Sequence, residues 1–288
     1  MSIRKVNIRS SVYPKNLKTI YRPPTELYIN GTILPSDCNA VAIVGTRRAT
    51  HYGMEQARKF AYDLALRGIT IISGMARGID TAAHRGAIAA GGRTIAILGS
   101  GHKNIYPPEN KKLYGEIARN GAVVSEYTAD TPPIGTNFPK RNRIISGMSK
   151  GVLVIEAPIK SGALITADFA LNEGREVFAM PGNISSVKSS GTNRLIKEGA
   201  KLAESIEDVL EELKLTDLKP PTPKSQSPKD GVSVDEKTIY SVLDKKPKSV
   251  DEISDKIDLP VRHVSQILLR LELKRLVKAL PGENFVRV

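Results

Sequence analysis

The sequence predicts an α/β protein: a doubly wound parallel sheet of about 213 residues, followed by a small domain of three helices and a hairpin. Three observations carry this reading. Short apolar runs rich in β-branched residues recur through residues 1–213, and segments with apolar residues at i, i+3 and i+4 lie between most of them. A proline- and lysine-rich stretch, Lys214–Gly231, then divides that body from residues 232–288. Runs that are apolar throughout mean strands covered on both faces, and helices between them mean right-handed crossovers.

The expected strands are Val41–Val44, Ile69–Ile72, Thr94–Leu98, Ala122–Val124, Val152–Ile155 and Val177–Ala179. Helical spacing marks Tyr52–Leu66, Ile79–Ala90 and Ala163–Asn172, and Asn142–Ser149 reads as a further helix. Lys214–Gly231 has four prolines and no hydrophobic periodicity after Leu218, so it reads as an extended tether. In the tail, Asp235–Leu243, Val250–Ile257 and Pro260–Lys274 read as helices, with Ser249 and Leu259-Pro260 as start signals. Val277–Leu280 and Phe285–Val288 form a hairpin around Pro281-Gly282, which completes a winged helix.

Composition narrows the classes. Forty per cent hydrophobic and 25% charged residues are ordinary for a soluble globular protein. One cysteine, Cys38, excludes a disulfide-stapled scaffold and a cysteine zinc site. There is no apolar run of about 18 residues and no apolar core behind the basic N-terminus, so neither a membrane span nor a signal peptide is expected, and the cytoplasm is the expected compartment. Forty-three basic against 30 acidic residues give a charge of +13, most of it in residues 1–213. Such a surplus keeps a protein soluble and also favours a polyanionic partner. The tail is nearly balanced.

Open parallel sheets bind ligands beyond the carboxyl ends of their strands. Gly45-Thr46-Arg47-Arg48 follows the first run. It suits either a solvated basic turn or a phosphate site, and its position at a strand end favours the phosphate. Ser73-Gly74-Met75-Ala76-Arg77-Gly78 precedes a helix and likewise suits close approach of phosphate. Asp80 reads as an acid stabilising the start of that helix, and His84, one turn on, as its structural contact. Gly99-x-Gly101 lacks a third glycine, and no Gly-x-x-x-x-Gly-Lys-Ser/Thr occurs, so neither a dinucleotide fingerprint nor a P-loop is present.

Phe138-Pro139-Lys140-Arg141-Asn142-Arg143 places three cations beside one of five phenylalanines. Single-strand binders pair charge with a stacking ring in this way, although a core Phe beside a charged surface fits the same residues. Ser161-Gly162 opens another helix, a further anion pocket. Glu126 and Glu156 end strands and are expected to orient arginines or accept backbone donors rather than act as an acid/base pair. No Gly-x-Ser-x-Gly elbow occurs, and four scattered histidines give no metal-ligand spacing, so neither Ser/His/Asp catalysis nor a metal or other cofactor is expected. Ile196, Ala200, Ile206, Val209, Leu210 and Leu213 form an apolar stripe that suits either packing on the sheet or self-association.

Taken in order, YPKNL, VAIVGTRRAT, SGMARGIDTAAH, IYPPEN, SEY, FPKRNRIISGMS, VIEAPIKSGALITADFA and VFAMPGN followed by SGTNRLIKEGA resemble the DNA-processing family DprA, also called Smf, over about Tyr13–Ala200. The resemblance implies an extended Rossmann-like body that binds single-stranded DNA, forms a homodimer and loads RecA recombinase during natural transformation, without catalysis. Carried over by motif, its DNA pocket uses Gly45, Thr46 and Arg47, then Ser73 and Gly74. Phe138, Lys140, Arg141, Asn142 and Arg143 follow, with Ser161, Gly162 and Thr166 closing it. Arg47 and Arg143 are then expected to hold phosphates and Phe138 to contact a base. The family's dimer and recombinase-contact surfaces fall loosely on Asn193–Leu213. Many members carry a helical domain ahead of the Tyr-Pro-x-x-Leu segment. About a dozen residues precede it here, so that domain's function is not expected.

Two other readings compete. A phosphoribohydrolase-like enzyme on nucleotides would use a Pro-Gly-Gly-x-Gly-Thr loop, which Ser161–Thr166 lacks. A transcription regulator would act through the winged helix, whose balanced charge suits a protein contact or weak duplex binding better.

Overall fold

The computed structural model describes residues 3–216, 234–244, 247–257, 259–273, 276–280 and 284–287, which fall into two units, Met1–Pro221 and Thr222–Val288. A nine-stranded sheet organises the first. In chain order its strands are β1 (Arg4–Asn7), β2 (Glu26–Gly31), β3 (Ala40–Val44), β4 (Thr70–Ser73), β5 (Thr94–Leu98), β6 (Gly121–Ser125), β7 (Gly151–Val154), β8 (Glu176–Ala179) and β9 (Lys201–Leu202). In space they run β1-β2-β6-β5-β4-β3-β7-β8-β9. All six expected strands are present to within two residues, and their neighbours pair in parallel. The two N-terminal strands, which the sequence reading did not mark, add antiparallel to the β6 edge.

The helices are α1 (Lys15–Lys18), α2 (His51–Leu66), α3 (Ile79–Ala89), α4 (Lys111–Asn120), α5 (Asn137–Met148), α6 (Gly162–Asn172), α7 (Ser190–Lys197) and α8 (Ile206–Glu212). Successive strand residues point to opposite faces, and this divides the core. Val41 and Ile43 pack with Phe60, Leu64 and Ile79 of α2 and α3, whereas Ala42 and Val44 pack with Ile144, Ile145 and Ala167 of α5 and α6. Burying both faces of every central strand is what fixes the sheet: a one-residue slip would exchange two filled layers.

The apolar stripe near the end of the body packs on the sheet. Val209 and Leu210 are buried against the α2 face with Ile206 and Leu213 beside them, and Ile196 and Ala200 pack on the other face. Leu215, the second residue of the stretch expected as linker, is also buried, and its backbone N–H donates to the Leu210 carbonyl at 2.8 Å. The proline-rich remainder of that stretch, from residue 217 on, lies outside the described residues.

The second unit is the winged helix: α9 (Val234–Val242), β10 (Lys248–Ser249), α10 (Val250–Ile257), α11 (Val261–Leu273), β11 (Val277–Leu280) and β12 (Asn284–Arg287). Ile239, Ile253, Val264, Leu268, Leu271 and Val277 make its core. Ser249 starts α10 as expected, through a reciprocal cap: Glu252 N–H donates to Ser249 Oγ at 3.2 Å, and Ser249 N–H to Glu252 Oε2 at 3.1 Å. The wing strands β11 and β12 pair antiparallel, and their expected Pro281-Gly282 turn lies outside the described residues. Among the described residues, no helix is long and apolar enough to cross a membrane.

One expected boundary is corrected. The helix expected to begin at Asn142 begins at Asn137, so Phe138–Arg141 stand in its first turns rather than ahead of it. Pro139 fits there because in the first turn of a helix a missing N–H costs nothing.

Candidate nucleic-acid interface

The strand order reverses between β3 and β7, since β4, β5 and β6 extend the sheet on one side of β3 and β7, β8 and β9 on the other. At such a switch point the loops from neighbouring strand ends part and leave a crevice. Here it is a cavity of about 610 Å³. Gly45, Thr46, Arg47 and Arg48 come to it from β3, Phe138, Arg141 and Asn142 from α5, and Ser161, Gly162 and Thr166 from the start of α6. Nine of the expected site residues therefore share one wall-to-wall space.

The loops that frame it are locked to each other. Thr46 N–H donates to the Glu156 carbonyl at 2.7 Å. The Glu156 carboxylate accepts from Thr50 N–H at 2.9 Å and from the Thr50 hydroxyl, and Thr50 in turn caps α2 by accepting from Gly53 N–H. Asn142 Nδ2 donates to the Gly162 carbonyl at 3.1 Å, tying α5 to the start of α6, and Ser161 Oγ accepts from Ala163 N–H as that helix's cap. Glu156 thus serves the framework, as expected of it. Glu126 does the same through an ion pair to Arg143.

The floor is a buried cation. Arg141 is 4% exposed, donates through Nη1 to the Ile97 carbonyl and lies directly beneath Gly74, where a Cβ would run into Nη1. Burial pushes its guanidinium down to about 10, and the nearby carboxylate of Asp80 opposes the shift, so it stays charged at neutral pH. Asp80, itself pushed up by burial, accepts from Gly74 N–H at 3.1 Å and Ala76 N–H at 3.3 Å. It therefore folds the loop before α3 over the arginine.

The rim is aromatic. The Phe138 ring rests on Gly99, where a Cβ would come within 2.7 Å of it, so only glycine lets the ring lie there. Tyr106 lies 5.5 Å from Phe138 between centroids, tilted by 55°, and the Arg47 guanidinium stands 5.3 Å over the Phe138 ring. Arg48, read with Arg47 as a phosphate contact, lines the same cavity, as do Tyr106 and Lys160, which were missed as site residues. Their signals were the aromatic in Ile105-Tyr106-Pro107-Pro108 and the lysine ahead of Ser161.

The other expected residues sit elsewhere. Ser73 is fully buried, its hydroxyl donating to the Ile43 carbonyl at 2.7 Å. Gly74 lines an adjoining cavity. Lys140 is exposed and Arg143 is held by Glu126; neither lines the main cavity.

The reading of His84 as a contact of Asp80 is corrected. Its Nδ1 lies 2.7 Å from the Thr94 hydroxyl, whose own proton goes to the Ile71 carbonyl at 2.8 Å, so His84 is the donor and the proton sits on Nδ1. Nε2 is buried without a partner among the described residues, and burial pushes the imidazole down to about 3. The unfolded chain takes up that proton near pH 6.5 and the folded one resists it, so stability is lost as pH falls below 6.5, by up to about 1.4 kcal/mol per pH unit. Urea midpoints measured between pH 7.5 and 5 are expected to fall in the native protein and to fall less in His84→Asn, which keeps a donor for Thr94. Equal slopes would refute the burial of a neutral imidazole.

The fold and the site define a class: a doubly wound α/β body with a basic, aromatic-rimmed crevice at its switch point, joined to a winged helix. Comparison with known proteins agrees. The family profile described as DNA recombination-mediator protein A matches residues 4–214, and that of the DprA winged helix domain matches residues 220–283. Protein Smf of Escherichia coli is 40% identical over 284 residues, 97% of this chain and 76% of that protein. DNA processing protein DprA of Bacillus subtilis is 43% identical over 212 residues, 73% of this chain and 71% of that one. The crystal structure of Streptococcus pneumoniae DprA superimposes with a TM-score of 0.70 at 42% identity, covering 73% of this chain and 74% of that one. Helicobacter pylori DprA, whose structure is described for its single-stranded DNA binding mode, superimposes with a TM-score of 0.65 at 32% identity, covering 73% of this chain and 96% of that one. The chain belongs to the DprA/Smf family of DNA-processing proteins.

Proposed function

We propose that this chain binds single-stranded DNA in the switch-point cavity, as a cytoplasmic homodimer that protects incoming strands and loads RecA recombinase onto them during natural transformation, without catalysing a reaction. The observation that carries the reading is the pairing, in one cavity, of Arg47, Arg48, Lys160 and the buried Arg141 with the Phe138–Tyr106 rim. Cations neutralise phosphates, and an aromatic face accepts any base, which together give affinity without sequence preference. Arg47, standing over the Phe138 ring, joins the two functions: it holds a phosphate where the base of the same nucleotide meets the ring. Arg143 takes the lesser role of fixing α5 through Glu126.

The absence of catalysis is supported by the occupation of the two strand-end carboxylates, each committed to a framework contact. For self-association, the apolar residues of α8 are spent on the core, which leaves β9, the last strand of the sheet, with Leu202 exposed on it. The winged helix, nearly neutral, serves a protein contact or weak duplex binding.

The test is fluorescence anisotropy with labelled oligo-dT and with a duplex of equal length across a salt series. Tighter single-strand binding, with log K falling by about 0.7 per phosphate contacted for each tenfold rise in salt, is expected. Salt-independent binding, or hydrolysis of nucleoside monophosphates by clean protein, would overturn the reading in favour of a nucleotide enzyme. RecA filament formation on coated single strands, with and without this protein, tests the loading step.

A further inference from the structure

The Phe138–Tyr106 pair borders two cavities. Beyond the main one, a second of about 240 Å³ adds Gly74, Arg77 and Pro107 to the shared lining of Arg47, Arg48, Tyr106 and Phe138. Arg77 belongs to the second cavity alone. It is more than half exposed and forked onto Glu109, with Nη2 3.2 Å from Oε2 and Nε bonded to Oε1. Glu109 lines neither cavity.

We infer that the second cavity is a further subsite for the same strand, holding the nucleotide adjacent to the one in the main cavity, with Arg77 exchanging Glu109 for a phosphate. This rests on the single-strand reading above. Three features support it. The two cavities share an aromatic boundary, so Tyr106 and Phe138 stand in the lining of both. They also share Arg47 and Arg48, which places two cations on the boundary that a phosphodiester linking two nucleotides must cross. Finally, a guanidinium forked on a carboxylate already has the geometry in which it takes two phosphate oxygens. Glu109 therefore stands where the phosphate would, and an ion pair this exposed is easily exchanged. The small second cavity has no room for a duplex, so the subsite also selects for single strands.

The experiment is a competition series with thymidine monophosphate and oligo-dT of increasing length, read by anisotropy, for the native chain, Arg77→Ala, Glu109→Gln and Arg47→Ala. The mononucleotide fills the main cavity, so Arg77→Ala and Glu109→Gln are expected to bind it as the native chain does. From the length that crosses the rim, Arg77→Ala is expected to bind more weakly, by about 5-fold, with a salt slope smaller by about 0.7. Glu109→Gln, which frees Arg77, is expected to bind the same oligomers more tightly, by about 3-fold. If both variants match the native chain at every length while Arg47→Ala loses binding, the second subsite is wrong and the main site stands. If Arg47→Ala also binds normally, the main site fails and the subsite with it.

Discussion

Phe138→Ala is expected to weaken binding of single-stranded DNA by about 1–3 kcal/mol, the usual effect of removing one base-stacking ring. Arg47→Ala is expected to cost about 1.5–3 kcal/mol, as a charge-assisted bond to phosphate does, and to lower the salt slope by about 0.7. Because the guanidinium stands over the ring, the two effects should not add. Removing Phe138 takes away the surface that orients Arg47, so the double variant should lose less than the sum. Anisotropy with labelled oligo-dT on all three variants measures this coupling. Independent, additive losses would mean that the two side chains meet different parts of the strand. Unchanged binding in a folded Phe138→Ala protein would remove the ring from the site altogether.

Arg141→Met carries the largest expected effect on stability. The guanidinium is 4% exposed and supplies the positive charge that holds down the Asp80 carboxyl against burial. A methionine of similar length fills the space but leaves that carboxylate buried without its counter-charge, a loss of about 3 kcal/mol by urea denaturation at pH 7. The sign of the pH dependence follows. With Arg141 gone, the folded Asp80 rises further above the value it has when unfolded, so the native state binds a proton more readily than the unfolded chain. The deficit should therefore narrow as pH falls towards 4. Arg141→Lys keeps the charge but not the forked reach to the Ile97 carbonyl, and should lie between the two. An Arg141→Met protein as stable as the native one at every pH would show that Asp80 relies on its backbone donors alone.

These effects also explain what the sequence disclosed and what it did not. The central strands were legible because a parallel sheet buried on both faces needs uninterrupted apolar runs rich in β-branched residues, such as Val152-Leu153-Val154. β2 escaped notice because Glu26, Asn30 and Gly31 leave it no such run, as suits an antiparallel strand near an edge. The start of α5 was hidden because Asn137–Arg141 offer no helical apolar spacing, while Pro139 is harmless three residues into a helix. The β3 loop and the opening of α6 were readable as anion sites from glycines and cations at strand ends. Glu126 was readable as a carboxylate that orients an arginine, though not which one, and the partner of His84 was not, because Thr94 lies on another element, β5. Spacing along α3 puts Asp80 and His84 one turn apart, but it carries no information about the strand beneath. Tyr106 and Lys160 sit on irregular loops, where no periodicity marks a residue as facing a cavity.

The central claim is that a single strand lies over the Phe138–Tyr106 rim. Photocrosslinking tests it most directly: oligo-dT carrying one 5-iodouracil, irradiated in complex with the full chain and mapped by mass spectrometry. Crosslinks to Tyr106 or Phe138, competed away by unlabelled single strand but not by duplex, are the expected result. Crosslinks confined to α11 or the wing of the second unit, with the rim untouched, would contradict it.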